Sequence, residues 1–428
     1  CAVLHEGHEI PKHALVMVGL PARGKTYIAR KIARYLSWLG YNTRTFNVGE
    51  YRRSQVGARQ PASFFDPEDA SNSEVREAIA RRALDDLVGW LIGGGEVAIY
   101  DATNIEKSRR DAIWQRCNAV GIQVVFVESI CEDEAVVERN VRENKLRSPD
   151  YADVDTEEAV RDFRQRIAFY ERNYEPVNEP DKGYVKIIDE GRQVVVNRMA
   201  GYFSARLMFF LMNIHPARRK IWLTRHGESV FNTANRIGGD SDLSARGMAY
   251  SRSLATHMPR QPKTERLVVW TSTLKRAVQT ATQLGLRPIA RRALDEIDAG
   301  ICDGMTYEEI KRDLPDEFRA RGSDKFRYRY PRGESYADVI QRLEPVIVDL
   351  ERQRQPILVV AHQAIIRALY GYLTGRPQEE CPHVPIPLHT LVELTPTAYG
   401  YEEHRVELEP SLPDRSDAPL SMGPWRQG

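Results

Sequence analysis

Two short stretches of this chain hold residue types whose spacing suits phosphate chemistry. In "GLPARGKT", residues 19–26, Gly19, Gly24, Lys25 and Thr26 fall in the pattern GxxxxGK[ST]. The glycines of that pattern let backbone N–H groups turn inward onto phosphate oxygens, the lysine reaches the transferring phosphate, and the threonine hydroxyl can ligate Mg2+. A helix starting there points its positive dipole end at the anion. In "LTRHGES", residues 223–229, Arg225 can pin a phosphoryl group while His226 attacks phosphorus, and Gly227 lets the group approach the backbone. One stretch is suited to holding nucleotide phosphates and the other to taking phosphate off a substrate.

Each stretch has partners further along. Asp101 ends the apolar run of "EVAIYDATN", where a carboxylate can face the loop and help hold Mg2+ or accept the acceptor hydroxyl's proton. A plain strand-terminal turn is the alternative for that aspartate. The nearest approach to a guanine-reading NKxD is "NKLR", with Arg147 in place of the aspartate, so ATP is the expected nucleotide. Arg52, Arg53, Arg76, Arg109 and Lys145 fall beside strand ends or short elements and point to an anionic acceptor, although any one alone is commonly a solvated surface charge. For the second stretch, "TSTLKRAVQTA" places Arg276 at a helix start, "VVAHQAIIR" places His362 at a strand end, and "LDEIDAG" offers Glu296 to protonate a leaving oxygen. Such residues converge at the carboxyl ends of strands, where open α/β sheets bind ligands. Cys/His clusters of a zinc site are absent from the sequence.

The elements that must position these groups alternate. Apolar strand runs are expected at 14–20, 43–49, 96–104, 122–130 and 184–189, and helical patterns at 25–40, 74–92, 107–119, 132–146 and 156–173. A long helical pattern from 200 ends near 212–220, and the alternation restarts. Strands are expected at 221–227, 266–272 and 356–363, with helices at 245–258, 273–284, 306–320, 335–353 and 364–374. This pattern predicts two α/β domains, 1–217 and 218–428, each a mainly parallel sheet with helices on both faces. The Pro-rich tail from about 409 is expected to be poorly ordered.

Composition narrows the function class. A chain of 428 residues with 42% apolar and 28% charged residues can bury a core in each half. A formal charge of +1 argues against a dedicated nucleic-acid binder, which needs excess Lys and Arg. Five scattered cysteines without a CxxC pair fit a reducing compartment. No apolar stretch suits a membrane helix and the N-terminus has no signal-peptide layout, so a cytoplasmic protein without a membrane partner is expected. A first residue of Cys rather than Met leaves room for an upstream segment.

Taken in order, "VMVGLPARGKTYIA", "FNVGEYRR", "DATN", "VESIC", "SPDY", "RHGES", "RIGGDS", "EIDAG", "MTYEEI", "YRYP", "AHQAIIR" and "PLHT" resemble the 6-phosphofructo-2-kinase/fructose-2,6-bisphosphatase family from about residue 14 to about 405. The resemblance implies a P-loop kinase fused to a histidine phosphatase, together making and destroying fructose 2,6-bisphosphate, and a homodimer. It implies ATP in the loop Gly19, Leu20, Pro21, Ala22, Arg23, Gly24, Lys25 and Thr26, extended by Asn140 to Lys145, with Mg2+ at Thr26 and Asp101. Fructose 6-phosphate would meet Arg52, Arg76, Thr103, Arg109, Lys145, Arg166 and Tyr170, with Asp101 and Cys131 at catalytic positions. In the second half, His226 would carry the phosphoryl group, Glu296 would act as acid and then base, and Arg225, Asn232, Arg276 and His362 would stabilise phosphoryl oxygens. Gly238, Tyr307, Arg321, Lys325, Tyr336, Gln363 and Arg367 would meet the sugar and its other phosphate. The chain departs from the family pattern at Ile105, Glu106, Arg147, Asp242 and 302–305, which bears more on the kinase than on the phosphatase. Two other readings of the motifs are a kinase-phosphatase acting on nucleic-acid ends and a regulatory protein that binds without turnover.

Overall fold

The computed structural model describes residues 11–145, 148–151, 154–214, 219–258, 266–397 and 400–408. Arg147, the boundary expected near 217 and the tail from 409 lie outside the described residues.

The first sheet contains β1 (His13–Val18), β2 (Thr43–Asn47), β3 (Val97–Asp101), β4 (Gln123–Ile130), β5 (Gly183–Ile188) and β6 (Gln193–Asn197). Their spatial order is β2-β3-β1-β4-β5-β6, all parallel except the β5–β6 pair. Every side chain of β1 is buried because both faces are covered. Leu15 and Met17 pack with the helices Lys25–Trp38 and Tyr202–Leu211, while Ala14, Val16 and Val18 pack under the helix Ala70–Ile92 and the helix Lys107–Asn118. The period-two alternation of a strand thus feeds two apolar layers.

The second sheet contains β7 (Ile221–Arg225), β8 (Val268–Thr271), β9 (Ile289–Ala290), β10 (Ile357–Ala361), β11 (Thr390–Thr397) and β12 (Gly400–Glu407). Its order is β12-β11-β7-β10-β8-β9, with β11 antiparallel to both neighbours and the other pairs parallel. Leu223 and Val359 face the helices Tyr336–Arg352 and Gln363–Thr374, and Trp222 and Leu358 face the helices Ala245–His257 and Lys275–Thr282. The apolar layer under Lys25–Trp38 continues into the one under Tyr336–Arg352, so the sheets share a core across the junction. The α/β architecture is as expected, with antiparallel edges as additions.

Two candidate active sites

The first site lies where the chain leaves β1, beside β3 on one side and β4 on the other. Gly19 has φ +134°, and a Cβ there would meet the Ser129 carbonyl oxygen at 2.5 Å, so the loop's first residue has room only for a hydrogen. Gly24, left-handed at φ +88°, turns the chain into the helix that begins at Lys25. The Ser129 hydroxyl donates to the Arg23 carbonyl and Asn140 Nδ2 donates to the Ala22 carbonyl at 3.1 Å, which ties the loop down from the β4 side. Lys25 Nζ donates to the Leu20 carbonyl at 2.6 Å, curled over its own loop.

A cleft of about 720 Å3 opens there. Pro21, Lys25, Thr26, Asp101, Thr103, Arg52, Arg76, Arg109, Arg166 and Tyr170 all line it. The in-register pairing of Asn47 with Asp101 explains a contact that motif reading missed: Asn47 Nδ2 donates to Asp101 Oδ2 at 2.6 Å while its Oδ1 caps the next helix, Val48–Val56. A second missed residue is Asp150, which accepts from Arg52 Nη2 at 2.6 Å and lies 3.7 Å from Arg53 and 4.0 Å from Arg166. Its carboxyl is held below the usual range: burial pushes the other way, but Arg52 and then Arg166 and Arg53 outweigh it. Arg166 stacks 3.5 Å from the Phe65 ring centroid. Arg76 bonds the carbonyls of Phe64 and Asp66, and Arg109 pairs with Glu77.

Cys131 is not among the residues that line the cleft. It packs with Ala22, Val137 and Val141 behind the loop, and burial pushes its thiol up, away from a ready nucleophile. Lys145 ends the segment Val141–Lys145, and its side chain lies outside the described residues. Ile105 is buried and its carbonyl accepts from Arg110 Nη1 at 2.7 Å, whereas Glu106 stays exposed at the cleft.

The second site sits at the carboxyl ends of β7, β10 and β8. The register pairs Ala361 with Arg225 and Val360 with Thr271, so the next residues on the three neighbouring strands are His362, His226 and Ser272. His226 is buried, and its Nδ1 lies 2.7 Å from the Gly227 carbonyl. A carbonyl can only accept, so Nδ1 carries the proton and Nε2 keeps its lone pair. Burial, then Arg276, drives the ring's pKa well below its ordinary value, so this nitrogen is nucleophilic at neutral pH. Arg276 donates from Nε to His226 Nε2 at 3.1 Å and from Nη1 to the Gly239 carbonyl at 2.6 Å. His362 is fully buried, its ring centroid 5.0 Å from that of His226.

Glu296 is fixed by the helix Gln363–Thr374. Its carboxylate accepts from the backbone N–H groups of Gln363 at 3.1 Å, Ala364 at 3.2 Å and Ile297 at 3.0 Å, and so caps a helix whose own N-cap, His362, offers no side-chain bond. Asn232 uses Oδ1 on Ser229 and lines the cleft. Gly238 has φ +69°, and a Cβ there would collide with Asp303 Oδ1, the atom that accepts the Gly239 N–H at 2.8 Å. Asp303 thus ties down the loop that Arg276 grips. Asp242, another departure from the pattern, accepts from Gln279 at 2.8 Å.

This cleft, about 540 Å3, is also lined by Arg225, Tyr307, Arg321, Lys325, Tyr336, Gln363 and Arg367, whereas His362 is buried and is not among the lining residues. The hydrogen bonds of Arg225, Arg276, Arg321, Lys325 and Arg367 go to carbonyls, tyrosine hydroxyls and one imidazole. Among the described residues no carboxylate pairs with them. Buried and half-buried cations with no carboxylate in direct ion-pair contact make an anion site. Arg225 is pushed down to about 10 by burial, partly offset by Glu296, and Lys325 to about 8 by burial, with Arg367 and Arg321 adding to the effect. Among the described residues no group of three metal-ligating side chains occurs, and no helix is long and apolar enough to cross a membrane.

Comparison with known proteins matches both halves. The 6-phosphofructo-2-kinase family matches residues 3–218, and branch 1 of the histidine phosphatase superfamily matches residues 221–408. The chain is 48% identical over 402 residues to the 6-phosphofructo-2-kinase/fructose-2,6-bisphosphatase of Arabidopsis thaliana, covering 92% of this chain and 54% of that protein, so it spans about half of the plant relative's length. It is 48% identical to form 4 of Macaca fascicularis, over 90% of this chain and 83% of that protein. The Gallus gallus protein is also 48% identical, over 92% of this chain and 84% of its own length.

Proposed function

The chain belongs to the 6-phosphofructo-2-kinase/fructose-2,6-bisphosphatase family, and from that premise we propose that it sets the level of fructose 2,6-bisphosphate from both directions, as a cytoplasmic enzyme of glycolytic control. The kinase spans 1–217 and the phosphatase 218–428. The observation that carries the reading is a division of labour within one chain. One cleft joins a phosphate-cradling loop to a carboxylate and a ring of arginines, and the other joins a neutral nucleophilic histidine to cations that no described carboxylate pairs with directly.

In the first cleft ATP lies with its phosphates against the backbone N–H groups of residues 19–26, and Lys25 exchanges the Leu20 carbonyl for a phosphate oxygen. Asn140 and Lys145 extend the nucleotide site. Arg52, Arg76, Arg109, Lys145 and Arg166, with Thr103 and Tyr170, hold fructose 6-phosphate. Its 2-hydroxyl attacks the γ-phosphorus, the hydroxyl proton passes to Asp101, and ADP leaves. The protein mainly positions and neutralises charge around a loose transition state. The Thr26 hydroxyl is a hard oxygen donor that would hold Mg2+, and the Asp101 charge in the same cleft would favour the ion. Asp101 Oδ1, which has no protein hydrogen bond among the described residues with Asn47 on Oδ2, is the oxygen that takes the proton. The ion would supply charge neutralisation of the phosphates. Cys131 acts by packing behind the loop.

In the second cleft a phosphate drawing Arg276 onto its oxygens unmasks His226 Nε2. That nitrogen attacks the C2 phosphorus, Glu296 gives its proton to the departing sugar oxygen, and fructose 6-phosphate leaves a phosphohistidine. Glu296 then takes a proton from the water that attacks phosphorus, and inorganic phosphate is released. Arg225, Asn232 and Arg276 stabilise the phosphoryl oxygens, each donor worth about a hundredfold or more in rate. Arg321, Lys325 and Arg367, with Tyr307, Tyr336, Gln363 and the Gly238 turn, hold the sugar and its C6 phosphate.

The test incubates the chain with Mg2+, γ-labelled ATP and fructose 6-phosphate and looks for an acid-labile sugar bisphosphate, with Lys25→Ala as control. A second arm supplies fructose 2,6-bisphosphate labelled in the 2-phosphate, with His226→Ala as control. The reading stands if the product forms, the label is trapped on His226 and each control loses its own reaction. Absence of both reactions overturns it. The expected homodimer has a candidate face in Tyr202, Phe209 and Met212, large apolar residues exposed on and just after one helix. Phe209→Glu should then give a monomer by sedimentation.

A further inference from the structure

Ser272 has been given no role above, yet it follows the third of three adjacent parallel strands, next to the two histidines. Its side chain is fully buried. Its Oγ lies 2.7 Å from His362 Nε2 and accepts the Leu274 N–H at 3.3 Å. We propose that Ser272 is the positioning residue that fixes the tautomer of His362, so that His362 meets the transferring phosphoryl group as an Nδ1–H donor. The inference rests on the phosphatase reading above for its functional consequence, and on hydrogen-bond accounting for the tautomer itself.

A serine hydroxyl has one proton and two lone pairs. If His362 donated from Nε2, the Ser272 proton would be buried with no acceptor among the described residues, a loss of about 1–3 kcal/mol. With Oγ–H donating to Nε2, the Ser272 proton has its acceptor and the neutral ring carries its own proton on Nδ1. That Nδ1 is buried and has no partner among the described residues. It is an unpartnered donor on a ring that does not itself line the cleft but lies 5.0 Å, centroid to centroid, from the ring of the nucleophile, which does. Burial, and then His226, Arg276 and Arg225, keep the His362 ring uncharged, so it has one proton to offer. In the other tautomer Nδ1 would present a lone pair, which repels a phosphoryl oxygen. The two histidines are therefore set by two different neighbours: the Gly227 carbonyl leaves His226 a lone pair at Nε2, and the Ser272 hydroxyl leaves His362 a proton at Nδ1.

The experiment is long-range 1H–15N correlation on the full chain with 15N-labelled histidine at pH 7, His362 being assigned by the signal missing from His362→Gln. Wild-type His362 should show a protonated Nδ1 and an unprotonated Nε2. In Ser272→Ala both tautomers should be populated. The phosphatase kcat of Ser272→Ala should fall about tenfold or more with KM changed less than about threefold, and Ser272→Thr should restore most of it. Kinase activity of the same variants reports folding. A wild-type His362 protonated at Nε2 or at both nitrogens overturns the proposal, and so does a folded Ser272→Ala with full kcat. If Ser272→Ala fails to fold, the wild-type spectrum alone decides. Should the wild type not cleave fructose 2,6-bisphosphate, the function reading fails while the tautomer is still read independently.

Discussion

Lys325 is the group in the second cleft whose charge is most easily lost. Burial, reinforced by Arg367 and Arg321, lowers its pKa to about 8, and among the described residues its Nζ bonds only the Pro382 carbonyl, at 3.0 Å. A lysine with a lowered pKa is charged below that value and neutral above it, so anion binding by the free enzyme weakens as the pH rises through about 8. The expected outcome is a fall in phosphatase kcat/KM above that pH, approaching tenfold per unit, which a pH–rate profile will read. Lys325→Arg should remove that limb, because guanidinium stays charged. In the first cleft Glu106 is exposed among the arginines. Its charge opposes an anionic substrate but is screened by solvent, so Glu106→Gln should lower the KM for fructose 6-phosphate by about twofold at low salt, with the difference vanishing at high salt.

At the scale of elements, both sites are built on the turns by which the chain leaves a buried parallel strand. Gly19 shows how tight that exit is: an alanine there would need φ near +134° and would place Cβ 2.5 Å from the Ser129 carbonyl oxygen of β4. Gly19→Ala should therefore move the loop and raise the KM for ATP by about tenfold or more, while phosphatase kcat in the same preparation stays unchanged. Strands of this kind could be read in the sequence because burial on both faces demands continuous apolar runs, as in β1, β4 and β10. The helix Val48–Val56 could not, since its residues mix charged and small side chains and its start is set by Asn47. The edge strands β6, β9 and β12 were also missed, being half-exposed or two residues long, as was β11, an interior strand between β12 and β7 whose second half is only partly buried. The same logic divides the site residues. Lys25, Asp101 and His226 carry local motifs, whereas Asn47, Asp150 and Ser272 reach their partners only through strand register or chain closure over long separations.

At the scale of the whole molecule, the helix that starts at Lys25 is shared property of both halves. On its far side Lys31 and Arg34 pair with Glu351, Arg34 also reaching the Leu373 carbonyl at 3.1 Å, and Tyr35 donates to Glu344 at 2.7 Å. Tyr372, on the helix that opens with Gln363 in the second cleft, donates to the same Glu351 at 2.6 Å. Glu351 is 1% exposed, and although burial opposes its ionisation, Lys31, then Arg34 and Arg219, hold its carboxyl down at about 2. A carboxyl depressed in the folded state contributes stability that is complete above its unfolded pKa, about 4.3 for glutamate, and that is lost as the pH falls towards the folded value. Removing one partner from such a network strands buried cations, so Glu351→Gln should cost about 3–5 kcal/mol at pH 7. Denaturant titrations at pH 7, 4 and 2 should show that deficit shrinking between pH 4 and 2, where the wild type protonates and loses the same interaction. Because the apolar core is also continuous across the junction, kinase and phosphatase activities of the wild type should be lost at one temperature on heating, and Glu351→Gln should lower both together. Separate inactivation temperatures in the wild type would mean that the halves unfold independently and that this network holds them only in register.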